Sequence, residues 1–124
     1  MIEKLTQQEE EAMLIVWKTG GGCIKDFLEN YPEPKPPYTT LASIVKNLER
    51  KGYISGARYG NLYAYQPVID SSQYKSRFMS GFVQNYFSNS YKELVGFFAK
   101  EEKISPQELK EILQIIEGQE KSKQ

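Results

Sequence analysis

Leu41, Ile44, Val45 and Leu48 recur at i, i+3, i+4 and i+7, and shortly after Gly52 the rhythm changes: Tyr63 and Tyr65 alternate with Leu62 and Ala64 at a spacing of two. The first pattern is the buried stripe of an amphipathic helix closed by a glycine, and the second is a strand. Tyr59, Gly60 and Asn61 supply the turn of a two-stranded hairpin, which Pro67 ends. Two helical patterns precede this pair. Thr6, followed three residues later by Glu9, is a capping box opening a helix in which Met13, Val16 and Trp17 keep helical spacing until Gly20, Gly21 and Gly22 stop it. Ile24, Phe27, Leu28 and Tyr31 form one face of a shorter helix ending at Pro32, and the proline-rich segment after it is a stiff connector. Three short helices followed by a hairpin is the order of a winged helix-turn-helix domain, with the third helix as reading helix and the hairpin as wing.

The same stretch concentrates positive charge. Residues 35–67 hold five basic side chains, one acidic one and five tyrosines, in a chain whose 16 acidic and 16 basic residues cancel. The acidic residues gather in the first helix and the carboxyl third, so the field is segregated rather than absent. Near the start of the third helix Thr39, Thr40 and Ser43 offer hydroxyls where free amides also meet phosphates. Lys46, Asn47, Arg50 and Lys51 follow, and Arg58 and Asn61 stand near the hairpin tip. These nine residues are the expected contacts to double-stranded DNA. Only Lys46, with Asn47 or Ser43, is of a type that reads base edges well, so much of the affinity is expected from phosphates and falls steeply with salt.

Composition argues against an enzyme. There is no histidine, and Cys23 is the single cysteine, which removes the commonest general base, the commonest zinc ligand and any intrachain disulfide. Glu9, Glu10 and Glu11 read as a solvated first turn favoured by the helix dipole. No catalytic residue, metal site or cofactor is expected. With no apolar run of about 18 residues and no secretory signal pattern, the expectation is a cytoplasmic protein without membrane insertion.

From Asp70 the chemistry differs, so the expected division is 1–69, a DNA-binding domain, and 70–124, a helical dimerisation domain. Tyr74, Phe78, Phe82 and Tyr86 fall four apart; Leu94, Val95, Phe97 and Phe98 resume the apolar face after an interruption. Ser105, Pro106 and Glu108 then start a helix whose stripe is Leu109, Ile112, Leu113 and Ile116. An arm so rich in apolar surface and so poor in interior calls for an interface, and a twofold dimer is the economical solution. The alternative is that these helices fold back over the first domain. A dimer would set two reading helices about one turn of DNA apart, or a multiple, on a near-palindromic operator.

LTQQEEEAMLIVW, YTTLASIVKNLERKGYI, YGNLYAYQPVI and ELVGFFAKEEKISPQELKEI, in this order, resemble the BlaI/MecI family of bacterial penicillinase repressors over nearly the whole chain. The resemblance implies a mainly α winged helix-turn-helix protein with a small β-hairpin and a C-terminal helical dimerisation arm. It further implies a homodimeric repressor of a resistance or stress operon and a membrane sensor protease that leads to cleavage in the dimerisation region. The family's cut between an asparagine and a phenylalanine corresponds here to Phe97-Phe98, so the asparagine is replaced. Asn47 and Asn61 stand where basic residues are common in the family, which implies a different or weaker operator. The CxC pair of the copper-sensing relatives is absent from this sequence.

Two other readings predict different behaviour. A ligand-sensing regulator of the PadR or MarR kind would lose DNA affinity on binding a small molecule between its aromatic helices. A winged-helix protein-interaction module would show no salt-dependent DNA binding at all.

Overall fold

A computed structural model describes residues 2–122 of the chain. The described elements are α1 (Gln7–Thr19), α2 (Ile24–Glu29), α3 (Tyr38–Arg50), β1 (Ile54–Tyr59), β2 (Leu62–Pro67), α4 (Ser71–Tyr86), α5 (Tyr91–Lys100) and α6 (Pro106–Ser122). The chain divides into two compact units, Met1–Ser76 and Arg77–Gln124, and the division falls inside α4.

In the first unit the capping box forms as the spacing requires. The Thr6 amide donates to Glu9 Oε1 at 2.9 Å and the Glu9 amide donates to Thr6 Oγ1 at 3.2 Å, so two otherwise unpaired groups are satisfied together. Gly20 ends α1 in the left-handed conformation, at φ 81°. Beyond stopping the helix, the glycine run also pairs with the sheet: Gly22 and Tyr65 exchange backbone hydrogen bonds of 2.9 and 2.8 Å as an antiparallel bridge. Gly22 sits at φ 146°, where a side chain would be strained and its Cβ would meet the Asp26 carboxylate at 2.7 Å. That carboxylate accepts from the Cys23 amide at 3.0 Å and from its thiol at 3.2 Å.

The core closes around α3. Leu41, Val45 and Leu48 are fully buried against Met13 and Val16 of α1 and Phe27 of α2, with Tyr53, Ile54 and Tyr65 covering the end. Each such side chain stabilises by roughly 1.5–3 kcal/mol relative to exposure. β1 and β2 pair in register from Ile54↔Pro67 to Tyr59↔Leu62, leaving Gly60 and Asn61 as the two-residue turn. Cross-strand neighbours share a face, so Tyr63 and Tyr65 lie with Arg58 and Gly56, their rings edge-on at 5.2 Å. A Cβ at Gly56 would stand 2.3 Å from the Tyr63 ring, which explains why that strand position is bare.

The entry into α4 belongs to the first unit. The Trp17 indole donates to the Ile69 carbonyl at 2.8 Å, Tyr74 packs on Trp17 and Tyr53 with ring centroids 5.5 and 6.0 Å away, and its hydroxyl donates to Glu10 at 2.5 Å. Tyr74 therefore departs from the dimerisation role expected of it. The four-residue aromatic spacing is continuous in the sequence, but the first member of the series has a place in the core. For the same reason the structural division comes several residues after the 69/70 boundary drawn from composition.

In the second unit, Ser88 and Asn89 turn the chain at positive φ, and Ser90 caps α5 by accepting from the Glu93 amide at 3.1 Å. Ser105 and Glu108 form the capping box of α6, with amide bonds of 2.9 and 3.1 Å. Phe82 contacts Phe78, Tyr86 and Phe87, and Phe87 contacts Phe97, in a chain of rings 5.0–6.3 Å apart. Val83 is nevertheless the one buried apolar side chain of this unit among the described residues. No helix among the described residues is long and apolar enough to cross a membrane.

Candidate nucleic-acid interface

The buried stripe of α3 dictates what its other face presents. With Leu41, Ile44, Val45 and Leu48 turned inward, Thr39, Thr40, Ser43, Lys46, Asn47 and Arg50 are all exposed, and Tyr38 joins them at the amino end. Thr39, Ser43, Lys46 and Arg50 follow one another at helical spacing as a single polar stripe. No carboxylate stands among these side chains.

Local structure also keeps the start of α3 open to anions. Its N-cap is Pro37, which has no side-chain hydrogen bond to give, and the first turn holds no acidic residue. The first amides of the helix thus point outward without a capping carboxylate in competition. The single acidic residue of α3, Glu49, is engaged elsewhere: its Oε2 accepts from the Gly56 amide at 3.2 Å and ties the helix to β1. This bond links the hairpin to α3.

On the hairpin, Arg58 and Asn61 are exposed, as are Tyr59, Leu62 and Tyr63. Tyr38, Tyr59 and Tyr63 were not among the residues singled out by charge and hydrogen-bonding type. Their signal was the count of tyrosines in a basic stretch, and the register assigns Tyr63 to the Arg58 face and Tyr59 to the opposite one.

Lys51 departs from expectation. Its ammonium donates to Glu9 Oε1 at 2.6 Å and to the Lys4 carbonyl at 2.9 Å, with Glu3 at 3.8 Å, and little of the side chain remains exposed. Lys51 is the C-cap of α3, one residue past the helix, and the chain's turn there swings it from the polar stripe to the first helix. Burial alone would raise the Glu9 carboxyl, but the hydrogen bonds from Lys51 and Thr6 and the Lys51 charge outweigh it and hold the group below the usual carboxylate range. Sequence periodicity put Lys51 beside Arg50; the structure makes it a fastener between α3 and α1.

In the arm, Phe78, Tyr86, Val95, Phe98, Leu109, Ile112, Leu113 and Ile116 are exposed, while Phe82 and Leu94 are half-buried. Phe97 is exposed beside Phe98 on α5, and the peptide between them is helical. Ile115, which the stripe pattern passed over, is 61% exposed.

Three helices, a two-stranded wing fastened to the third, and an acid-free outer face make Met1–Ser76 a winged helix-turn-helix unit. Two solved structures share this fold. The DNA-binding domain of the repressor BlaI matches with a TM-score of 0.52 at 23% identity, over 60% of this chain and 92% of that one. The Bacillus licheniformis BlaI monomeric form in complex with the blaP half-operator matches with a TM-score of 0.51, also at 23% identity and the same coverage.

The whole chain has relatives as well. It is 24% identical to the penicillinase repressor of Bacillus licheniformis over 121 residues, covering 94% of this chain and 91% of that protein. It is 21% identical to the methicillin resistance regulatory protein MecI of Staphylococcus aureus strain N315 over 114 residues, covering 91% and 93%. The penicillinase repressor family pattern matches residues 5–118, and the chain belongs to that family, one of transcriptional repressors and not of enzymes.

Proposed function

We propose that two copies of this chain bind a near-palindromic operator, each presenting α3 to the major groove and the β1–β2 hairpin to the flanking backbone, and so repress transcription. The observation that carries this reading is the acid-free outer face of α3 and the wing in a chain of zero net charge. Lys46, Arg50 and Arg58 supply phosphate contacts, Thr39, Thr40 and Ser43 together with the open amides of the first turn fix the helix at the backbone, and Asn47 and Asn61 add hydrogen bonds without charge. A relative named as a penicillinase repressor, another named as a methicillin resistance regulatory protein, and the BlaI structure with a half-operator support it. The alternatives of a PadR- or MarR-like sensor and of a DNA-free interaction module lose ground to the same comparisons.

Dimerisation belongs to this proposal. α5 and α6 leave Val95, Phe98, Ile112 and Leu113 facing solvent in a unit with almost no interior of its own, and a second copy is the partner that a twofold operator requires. A sensor protease acting at Phe97-Phe98 would have to wait for local opening of α5, because the bond lies within a helix.

Selection of genomic DNA fragments by the purified protein at two salt concentrations tests the reading. The expected outcome is an enriched inverted repeat occupied by a dimer. If Lys46, Arg50 and Arg58 of two copies each neutralise one phosphate, the log–log slope of affinity against salt is about −5. Lys46→Glu with Arg50→Glu should abolish enrichment while the fold persists. No enrichment at either salt, or a slope near zero, would reject it.

A further inference from the structure

A cavity of about 340 Å³ opens between α1, the proline-rich connector and α3 of the first unit. Its volume lies at the lower end of small-molecule sites, which span roughly 300–1,000 Å³. The wall is apolar and rigid, made of Tyr31 with Pro32, Pro34 and Pro36, and Ile44 extends it from α3. The charged groups are of one sign. Gln8 and Thr40 are neutral, Glu11 and Glu33 are carboxylates, and no basic side chain lines the cavity among the described residues. The nearest lysine in sequence, Lys35, donates its ammonium to the Glu29 carbonyl at 3.2 Å. The Tyr31 phenol is held above its ordinary value by burial and then by the Glu11 charge.

From this arrangement we infer that the cavity binds a small organic cation, a substituted ammonium whose charge is shared by Glu11 and Glu33 and whose alkyl groups rest on the Tyr31 face and the prolines. An aromatic face beside an aliphatic wall recognises an alkylated ammonium better than a metal ion, because the apolar groups have surface to cover and the ring quadrupole attracts the charge. An anion would meet two carboxylates and no compensating base. Thr40 and Ile44 place the site directly against α3, at the edge of the proposed DNA face, which Thr40 shares. Binding itself does not depend on the chain's being a repressor.

Amide chemical shifts of the full chain, titrated without DNA, provide the test. The probe is choline, with 3,3-dimethylbutan-1-ol as its neutral isostere. Choline is expected to shift Glu33, Thr40 and Ile44 amides saturably, and the alcohol to leave them unmoved. Glu11→Gln should weaken choline about three-fold, as suits a solvent-facing charge, and Tyr31→Leu about five-fold, with Tyr31→Phe restoring the ring and the affinity. Thermal melting of each variant separates a loss of binding from a loss of fold, and the phenylalanine variant decides the matter if leucine unfolds the loop. Equal shifts with both compounds, no saturation with choline, or a Tyr31→Phe variant that binds as poorly as Tyr31→Leu overturns the inference. Failure here with intact operator selection would leave the repressor reading untouched, since none of these substitutions lies on the DNA face.

Discussion

In Met1–Ser76 the inward stripes of α1, α2 and α3, among them Met13, Val16, Phe27, Leu41, Val45 and Leu48, are sealed by Tyr53, Ile54 and Tyr65, whereas in Arg77–Gln124 Phe78, Tyr86, Phe97, Leu113 and Ile115 stand 47–73% exposed. Both units contain side-chain-capped helices, α1 in the first and α5 and α6 in the second, so secondary structure is not what separates them. The first has long-range pairs that close its stripes against one another. The second has stripes that end at water, and helices of 10 and 17 residues draw most of their stability from the face they bury. The contrast teaches that the first unit's fold is complete within one chain, while the second, on our proposal, is completed by a second copy.

The most damaging way to probe that contrast is to charge the open stripes. Phe98→Asp or Ile112→Asp should give a monomer by sedimentation and lower operator affinity about 100-fold or more through lost bivalency. Trp17 is the only tryptophan and lies in the first unit, so its fluorescence should stay native while circular dichroism reports helix loss in the arm. Unchanged sedimentation of both variants would break the comparison, for the exposed stripes would then need no partner.

A next-smaller effect lies wholly in the first unit. Lys51→Ala strips the partner from a buried Glu9 and should lower unfolding free energy by about 3 kcal/mol in urea melts. Arg50→Ala, one residue earlier, should leave the melt within about 0.5 kcal/mol and weaken DNA binding instead. The pH dependence follows from the depressed Glu9 group. Because the folded state holds that proton less tightly than the unfolded chain, the contribution is present above the ordinary glutamate value of about 4.3 and fades as pH falls through the lower folded one. Glu9→Gln should flatten this acid limb, and an unaltered limb would assign the acid sensitivity to other carboxylates.

Smaller again is the tie at the head of α4. Tyr74→Phe keeps the ring packing and removes the hydroxyl that donates to Glu10, a bond at a partly solvated site, so the expected loss is about 1 kcal/mol. Melting of the first unit by Trp17 fluorescence should register it. A shift in self-association with no shift in that melt would return Tyr74 to the dimer face that its spacing suggested.

What the sequence could reveal followed from how local each determinant is. Caps at Thr6 and Ser105 and the stripe of α3 are written in neighbouring residues, and they stand where the pattern placed them. The outer face of α3 was legible for the same reason, since fixing the buried side fixes the exposed one. The contacts of Lys51 and Tyr74 with Glu9 and Glu10 were not legible, because those partners lie 42 and 64 residues away and no periodicity encodes a contact of that range. Gly22 was legible as a helix stop but not as a strand partner of Tyr65, a pairing 43 residues distant that only the closed fold creates. The connector residues Pro32, Pro34 and Pro36 read as stiffness alone; that they wall a cavity depends on where α1 and α3 stand.

The finest test concerns backbone alone. α5 ends with Glu102 at φ 59°, a left-handed position that glycine fills at no steric cost, and there the amides of Glu102 and Lys103 close back on the Ala99 and Phe98 carbonyls at 3.1 and 2.9 Å. A side chain in that conformation costs about 1–2 kcal/mol, of which the greater freedom of glycine in the unfolded chain returns part. Glu102→Gly should therefore stabilise the arm by about 0.5–1 kcal/mol without adding any contact. If the arm folds only as its stripes meet a second copy, that local gain counts once for each copy and must appear as tighter self-association, with the dimer persisting at roughly five- to thirty-fold greater dilution. Were the arm to fold alone, the same substitution would raise its melting point at every concentration and leave the dissociation constant where it was. The two outcomes separate a stripe that folds upon its partner from one that merely exposes itself.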